Sequence, residues 1–82
     1  MPESIRILGF DPGTRISGYG IIDAEAGGEL SVVCYGAIRL QPPAGKIPIP
    51  QRLRHLYEAL DEIVREHRPG VLAVEKLSLI HI

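Results

Sequence analysis

Apolar and polar positions divide the chain into short runs with two different periods. Ile5 to Phe10 is mostly apolar and is closed by Asp11-Pro12-Gly13-Thr14, a segment with the composition of a tight turn, so it predicts a β-strand. Gly18 to Asp23 predicts a second strand, and the turn-like stretch Ala24 to Glu29 leads into a third from about Leu30 to Leu40. Connections this short cannot carry a parallel crossover, so these three strands are expected to form an antiparallel meander. Gln41 to Pro50 contains four of the seven prolines and reads as a loop, ending in a residue suited to the first turn of a helix.

The period then changes. From Gln51 to His67 the apolar residues Leu53, Leu56, Tyr57, Leu60, Ile63 and Val64 recur at the spacing of one stripe on an amphipathic helix. Arg52, Arg54, Glu58, Asp61, Glu62, Arg65 and Glu66 occupy the other side and read as a solvated face, with Asp61 and Arg65 placed for an i,i+4 pair. Arg68-Pro69-Gly70 ends the helix: proline disfavours helical geometry at the residue before it, and glycine permits the turn. Val71 to Glu75 follows as a fourth strand.

A strand, a helix and a further strand make a right-handed crossover, which sets the fourth strand parallel to the first at the open edge of the meander. The predicted fold class is therefore α/β, a mixed sheet of order 3-2-1-4. Neighbouring parallel strands lie about 4.8 Å apart and end on the same side, so Asp11 and Glu75 are expected to emerge together at two adjacent carboxyl ends. Two carboxylates that close repel each other, and a cation between them relieves the repulsion. An oxygen-only donor set suits a hard cation, magnesium with manganese as a substitute. The backbone amides around Pro12-Gly13-Thr14 would add a concavity suited to a phosphate. On the residues alone a plainer reading stays open: Asp11 caps the turn, and Glu75 is the first exposed residue after a strand.

The remaining features of the chain narrow the setting. A length of 82 residues allows one small domain or part of a larger one. Hydrophobic residues make up 45% and charged residues 23%, which describes a globular chain, and no apolar run approaches the ~20 residues that span a bilayer. The N-terminus lacks the pattern of a signal peptide, so a cytoplasmic setting with no membrane contact is expected. A net charge of −1 removes the usual basic signature of a nucleic-acid binder, so DNA contacts would have to come from local groups. The single cysteine, Cys34, sits in an apolar stretch and reads as core. His55 and His67 read as surface residues, and His81 as no ligand.

The run from Ile7 to Asp23, Ile-Leu-Gly-Phe-Asp-Pro-Gly-Thr-Arg-Ile-Ser-Gly-Tyr-Gly-Ile-Ile-Asp, resembles the N-terminal signature of the RuvC crossover-junction endodeoxyribonucleases. The resemblance continues through Tyr35-Gly36-Ala37-Ile38, Arg52-Leu53, Leu60 and Pro69 to Glu75, and spans residues 5 to about 76. The Asp-Pro-Gly-Thr turn is a weak signal by itself. Joined to Gly18-Tyr19-Gly20 and a strand-terminal glutamate 64 positions after Asp11, it is fairly specific. The resemblance implies a ribonuclease-H-like fold and a homodimer that resolves four-way Holliday junctions by paired magnesium-dependent nicks in recombination and repair, with a branch-migration helicase as a further partner. It implies that Asp11 matches the first catalytic, metal-holding carboxylate and Glu75 the second. Arg15, just past the turn, is the nearest candidate for a DNA phosphate contact.

The family's other acidic ligands lie on a downstream helix, and this chain ends before them. Lys76 to Ile82 also departs from the family pattern, as a truncated gene or a reading-frame change would produce. Residues 1–82 are thus expected to be the N-terminal part of a single ribonuclease-H-like nuclease domain, inactive in isolation. Three alternatives stand beside this: a phosphate-binding module of the actin and sugar-kinase type, a YqgF-like relative acting in RNA maturation, and a non-catalytic remnant. Gly18-Tyr19-Gly20 and Glu75 favour the junction nuclease over the first two. Whether the full gene supplies the missing carboxylates decides the third.

Overall fold

The computed structural model describes residues 4–41 and 45–75. Strands β1 (Ile5–Asp11), β2 (Ile16–Ala24) and β3 (Leu30–Arg39) precede helix α1 (Ile49–His67) and strand β4 (Val71–Val74). They form one four-stranded sheet in the order β3-β2-β1-β4. β1 runs antiparallel to β2 and parallel to β4, and β2 runs antiparallel to β3. The expected topology is thus the observed one. Residues 42–44, inside the predicted proline-rich loop, and the divergent tail 76–82 lie outside the described residues.

Local chemistry explains the boundaries. The β2–β3 turn closes with the Glu25 N–H on the Glu29 carbonyl at 2.8 Å and the Gly28 N–H on the Glu25 carbonyl at 2.9 Å. Gly28 has φ of 95°, which glycine adopts without steric cost. α1 starts two residues earlier than its periodicity indicated, with Pro48 as N-cap and Pro50 in the first turn, where its missing N–H goes unused. At the other end the left-handed residue is Arg68 (φ 50°), not Gly70, and its N–H donates to the Val64 carbonyl at 2.8 Å. Gly70 instead donates to the Arg6 carbonyl at 2.9 Å, which starts β4 along β1. The reversal therefore falls one residue before the proline, and tertiary pairing rather than glycine's freedom sets it.

Strand alternation sends Leu8, Ser17, Ile21 and Ile38 to one face of the sheet, and all four are buried. α1 covers that face: Leu8 shares a hollow with Val64, and Ile38 shares another with Ala59 and Ile63. The helix stripe is wider than this contact. Leu56, Leu60 and Ile63 are half-buried, whereas Leu53 and Tyr57 remain 59% and 70% exposed. β4 is an edge strand with all four residues exposed. Asp61 and Arg65 form the expected i,i+4 pair, Nε to Oδ2 2.9 Å. Among the described residues no helix is long and apolar enough to cross a membrane.

A polar clamp ties the end of α1 to the sheet. Arg6 meets Asp23, its register partner on β2, through Nε to Oδ1 at 2.8 Å and Nη2 to Oδ2 at 2.9 Å. Its Nη1 donates to the His67 carbonyl at 3.2 Å, one of the helix-terminal carbonyls that lack an intrahelical donor. The His67 ring packs back on the sheet, with Nε2 3.7 Å from the Cys34 Sγ. His67 is therefore a half-buried helix anchor, not a surface residue, and Cys34 is half-buried at this contact rather than enclosed in the core. His55 is exposed as expected.

The hydrogen bonds from Arg6 hold the Asp23 carboxyl below the usual carboxylate range. A depressed folded-state value means that the stabilisation is fully present above the ordinary aspartate range and is lost as pH falls through the folded value. Thermal unfolding followed from pH 6 down to pH 2 is expected to show stability falling below about pH 4. Asp23→Asn should flatten that part of the profile. An unchanged acid limb in the variant would assign the loss to other carboxylates.

Candidate functional site

β1 ends in Asp11, opposite Gly18 of β2. On the other side of β1, the parallel register pairs Ile7 with Val71, Gly9 with Ala73 and Phe10 with Val74. The Glu75 N–H continues that ladder by donating to the Phe10 carbonyl at 2.9 Å. One further step brings Glu75 level with Asp11. Because side chains alternate, Asp11 follows Ile7 and Gly9, and Glu75 follows Val71 and Ala73, onto the face opposite α1. The two predicted carboxylates are thus brought to one end and one face of the sheet, on strands about 4.8 Å apart.

They border an open groove of about 450 Å³, lined along its floor by Gly9, Gly18, Gly20 and Ala73, with no residue of α1 in its walls. A Cβ at Gly9 would meet the Gly20 carbonyl at 3.8 Å, an ordinary contact, so crowding within this sheet does not demand the glycines. Their effect is to keep the floor low and leave the backbone open to whatever lies on it. Both carboxylates are exposed, and among the described residues neither takes part in a salt bridge or side-chain hydrogen bond. Also among the described residues, no group of three or more histidine, cysteine, aspartate or glutamate side chains comes together as a metal-binding set. What the site offers is two hard oxygen donors of like charge, a pair that favours a cation between them.

The turn after Asp11 is braced more tightly than its composition suggested. Ser17, fully buried, bonds Gly13 twice, accepting from the Gly13 N–H at 3.0 Å and donating to its carbonyl at 3.1 Å. A Cβ on Gly13 would sit 2.2 Å from the Ile16 carbonyl oxygen, so only glycine fits. The Arg15 carbonyl accepts from the N–H groups of Leu40 (2.8 Å) and Gln41 (3.2 Å). The Thr14 carbonyl accepts from Arg52 Nη1 at 2.8 Å, while Arg52 Nε donates to the Ile47 carbonyl at 2.8 Å.

Two of these residues escaped the sequence reading. Arg52 was grouped with the solvated face of the helix, and Ser17 drew no attention. The one available signal was that Ser17 shares strand parity with Tyr19 and Ile21, on the buried side. The expected anion concavity is also corrected. Pro12 has no N–H and the Gly13 N–H is taken by Ser17, so of that trio only Thr14 keeps a backbone donor. Arg15 is exposed in the same loop.

Comparison with known proteins gives this geometry a family. The chain is 45% identical over 71 residues to the crossover junction endodeoxyribonuclease RuvC of Alkaliphilus metalliredigens, covering 87% of this chain and 41% of that protein. It is 48% identical over 71 residues to the RuvC of Dehalococcoides mccartyi, with the same coverage of 87% and 41%. The chain thus spans about two fifths of the length of these curated relatives. In fold it resembles T. thermophilus RuvC, solved in complex with a Holliday junction substrate, with a TM-score of 0.72 at 21% identity over 85% of this chain and 42% of that one. The Aquifex aeolicus PPX-GPPA enzyme shares the fold more loosely, with a TM-score of 0.61 at 16% identity over 88% of this chain and 26% of that one. The family model described as crossover junction endodeoxyribonuclease RuvC matches residues 7–80, from the strand that carries Asp11 through the one that leads to Glu75, and the chain belongs to that family.

Proposed function

We propose that this chain is the N-terminal part of a single ribonuclease-H-like nuclease domain that resolves Holliday junctions by metal-dependent hydrolysis of phosphodiester bonds in DNA recombination and repair. The observation that carries this reading is the in-register placement of Asp11 and Glu75 at the carboxyl ends of β1 and β4 in a chain of this family. Four-way junction DNA is the proposed substrate, and T. thermophilus RuvC, the relative solved with such a junction, supports that choice. The proposal extends to a cytoplasmic homodimer when full length and to a branch-migration helicase as partner. The family match weighs against the actin or sugar-kinase type module and the RNA-maturation alternative.

Magnesium, with manganese as a substitute, is the proposed cofactor, and the donor chemistry fits it: two carboxylate oxygen sources, no thiolate or imidazole beside them, and open space for water to complete the shell. Asp11 and Glu75 are the residues that would hold it. When bound, such an ion supplies activation of water and neutralisation of charge at the scissile phosphate. The chain's own contribution is positional. The β1–β4 ladder holds the two carboxylates level, the glycine floor leaves the groove open to a sugar–phosphate strand, and the braced turn presents Arg15 to a neighbouring phosphate. Isolated, the chain is expected to be inactive, because two carboxylates leave most of the coordination shell to water.

That reading is tested on the chain itself by Mn²⁺ titration, followed by paramagnetic broadening. Weak saturable binding is expected, centred on residues 9–11 and 73–75, and either Asp11→Asn or Glu75→Gln should remove it. Binding that survives both changes, or that centres elsewhere, removes the basis for a shared site.

A further inference from the structure

We propose that Arg52 is a positioning residue, and that the loop it fastens binds a DNA phosphate through the backbone N–H groups of Thr14 and Arg15 together with the Arg15 guanidinium. The proposal rests on the reading of Asp11 and Glu75 as the cleavage centre and adds a second, separate contact next to it.

The argument starts from where the loop's carbonyls go. The Gly13 carbonyl is taken by the buried Ser17 hydroxyl, the Thr14 carbonyl by Arg52, and the Arg15 carbonyl by the Leu40 and Gln41 amides. Across a planar trans peptide, the carbonyl of one residue and the N–H of the next point in opposite directions. Anchoring the Gly13 carbonyl on Ser17 therefore turns the Thr14 N–H away from Ser17. Anchoring the Thr14 carbonyl on Arg52 turns the Arg15 N–H away from Arg52. Among the described residues neither N–H has an acceptor. Successive free amides of this kind make an anion-binding concavity.

The neighbours of these amides fix the kind of anion. Arg15 is exposed and, among the described residues, has no acidic partner, so it adds positive charge at the same place. Thr14 is three residues beyond Asp11, a reach of at most about 10 Å along the chain. A phosphate held there would lie on the strand being cut, close to the scissile position. Such contacts set register and orientation without reading sequence, as a structure-selective nuclease requires.

Arg52 makes the arrangement dependent on the helix. It stands in the first turn of α1, and its guanidinium bridges two carbonyls, Ile47 and Thr14, from segments on either side. Gln41 Oε1 accepts from the Ile47 N–H at 2.9 Å, so the anchor point is itself held. Only a planar fork spans both carbonyls in a fixed geometry; a lysine ammonium is a point charge on a flexible stem.

The test uses the chain as it stands, with metal removed by EDTA and a synthetic four-way junction as the probe. Saturable amide NMR shifts at Thr14 and Arg15 are expected in the parent chain. Arg52→Gln should weaken junction binding about tenfold and remove those two shifts. It should leave Mn²⁺ binding at Asp11 and Glu75 and the thermal midpoint unchanged. Arg52→Lys should fall between. Absence of the shifts in the parent chain, or their persistence in Arg52→Gln, overturns the proposal. So does joint loss of Mn²⁺ binding and thermal stability in Arg52→Gln, which would make Arg52 a general brace of the fold. Junction-induced shifts without any Mn²⁺ binding by the parent chain would sink the cleavage-centre reading while leaving the phosphate contact standing.

Discussion

Asp11→Asn and Glu75→Gln, each introduced alone into a full-length protein carrying this N-terminal half, are expected to abolish nearly all cleavage of a four-way junction while leaving junction binding intact. Each change withdraws one negative oxygen donor from a site that must hold water and the scissile phosphate in line, a loss on the order of 10²-fold or more in rate. Binding has a different origin. It comes mainly from phosphate contacts by basic groups spread over the protein, of which Arg15 is the nearest to the site. Removing a carboxylate also lowers repulsion toward the DNA phosphates, so affinity should hold or rise. The assay is a synthetic junction in magnesium, scored separately for retained complex and for nicked strand. Parent-like nicking by either variant would defeat the catalytic assignment. Joint loss of binding and cleavage would indicate a folding role for these positions instead.

Ile21→Ala is expected to unfold most of the chain at ambient temperature. Ile21 is fully buried on the α1 side of the sheet, between its register partners Leu8 and Cys34, so truncation leaves a cavity with no nearby loop able to fill it. Core truncations of this size cost about 2–5 kcal/mol. A domain this small has a total stability of about 5–10 kcal/mol at best. The exposed stripe on α1 and the uncovered edge strand β4 place it at the low end, and also favour association. Tyr35→Ala is the matched control: Tyr35 is 80% exposed on β3, and its loss should shift stability by no more than about 0.5 kcal/mol. Urea unfolding of the two variants separates these cases. Equal effects would mean that the Leu8–Ile21 cluster is not the folding core.

Much of this molecule was readable before any coordinates. The turn residues bracketing Ile5–Phe10, the short β2–β3 connection and the helical period of Leu56, Leu60 and Ile63 each express local rules, and each element formed where those rules placed it. Connection length added the topology, since two short links force antiparallel pairing and one helical link permits the parallel return of β4. Asp11 and Glu75 were found because each interrupts the end of an apolar run, a signal that needs no partner to be visible.

What the sequence left open involves contacts between distant segments. The wide apolar stripe of α1 gave no indication that Leu53 and Tyr57 would stay exposed, because a stripe records which residues can be buried and not what is present to bury them. His67 looked like a surface histidine until the helix end docked over Cys34. Arg52 looked solvated until the chain on both sides of it folded back and offered two carbonyls, one five residues away and one 38. The sequence by itself determined the elements, their order in the sheet and the two carboxylates, because periodicity, turn chemistry and link length act over a few residues. Only the tertiary structure decided that Asp11 and Glu75 share a register and a face, and that Ser17 and Arg52 lock the turn between β1 and β2. Those outcomes depend on hydrogen-bond ladders and side-chain reach between segments far apart in the chain, and no local pattern encodes them.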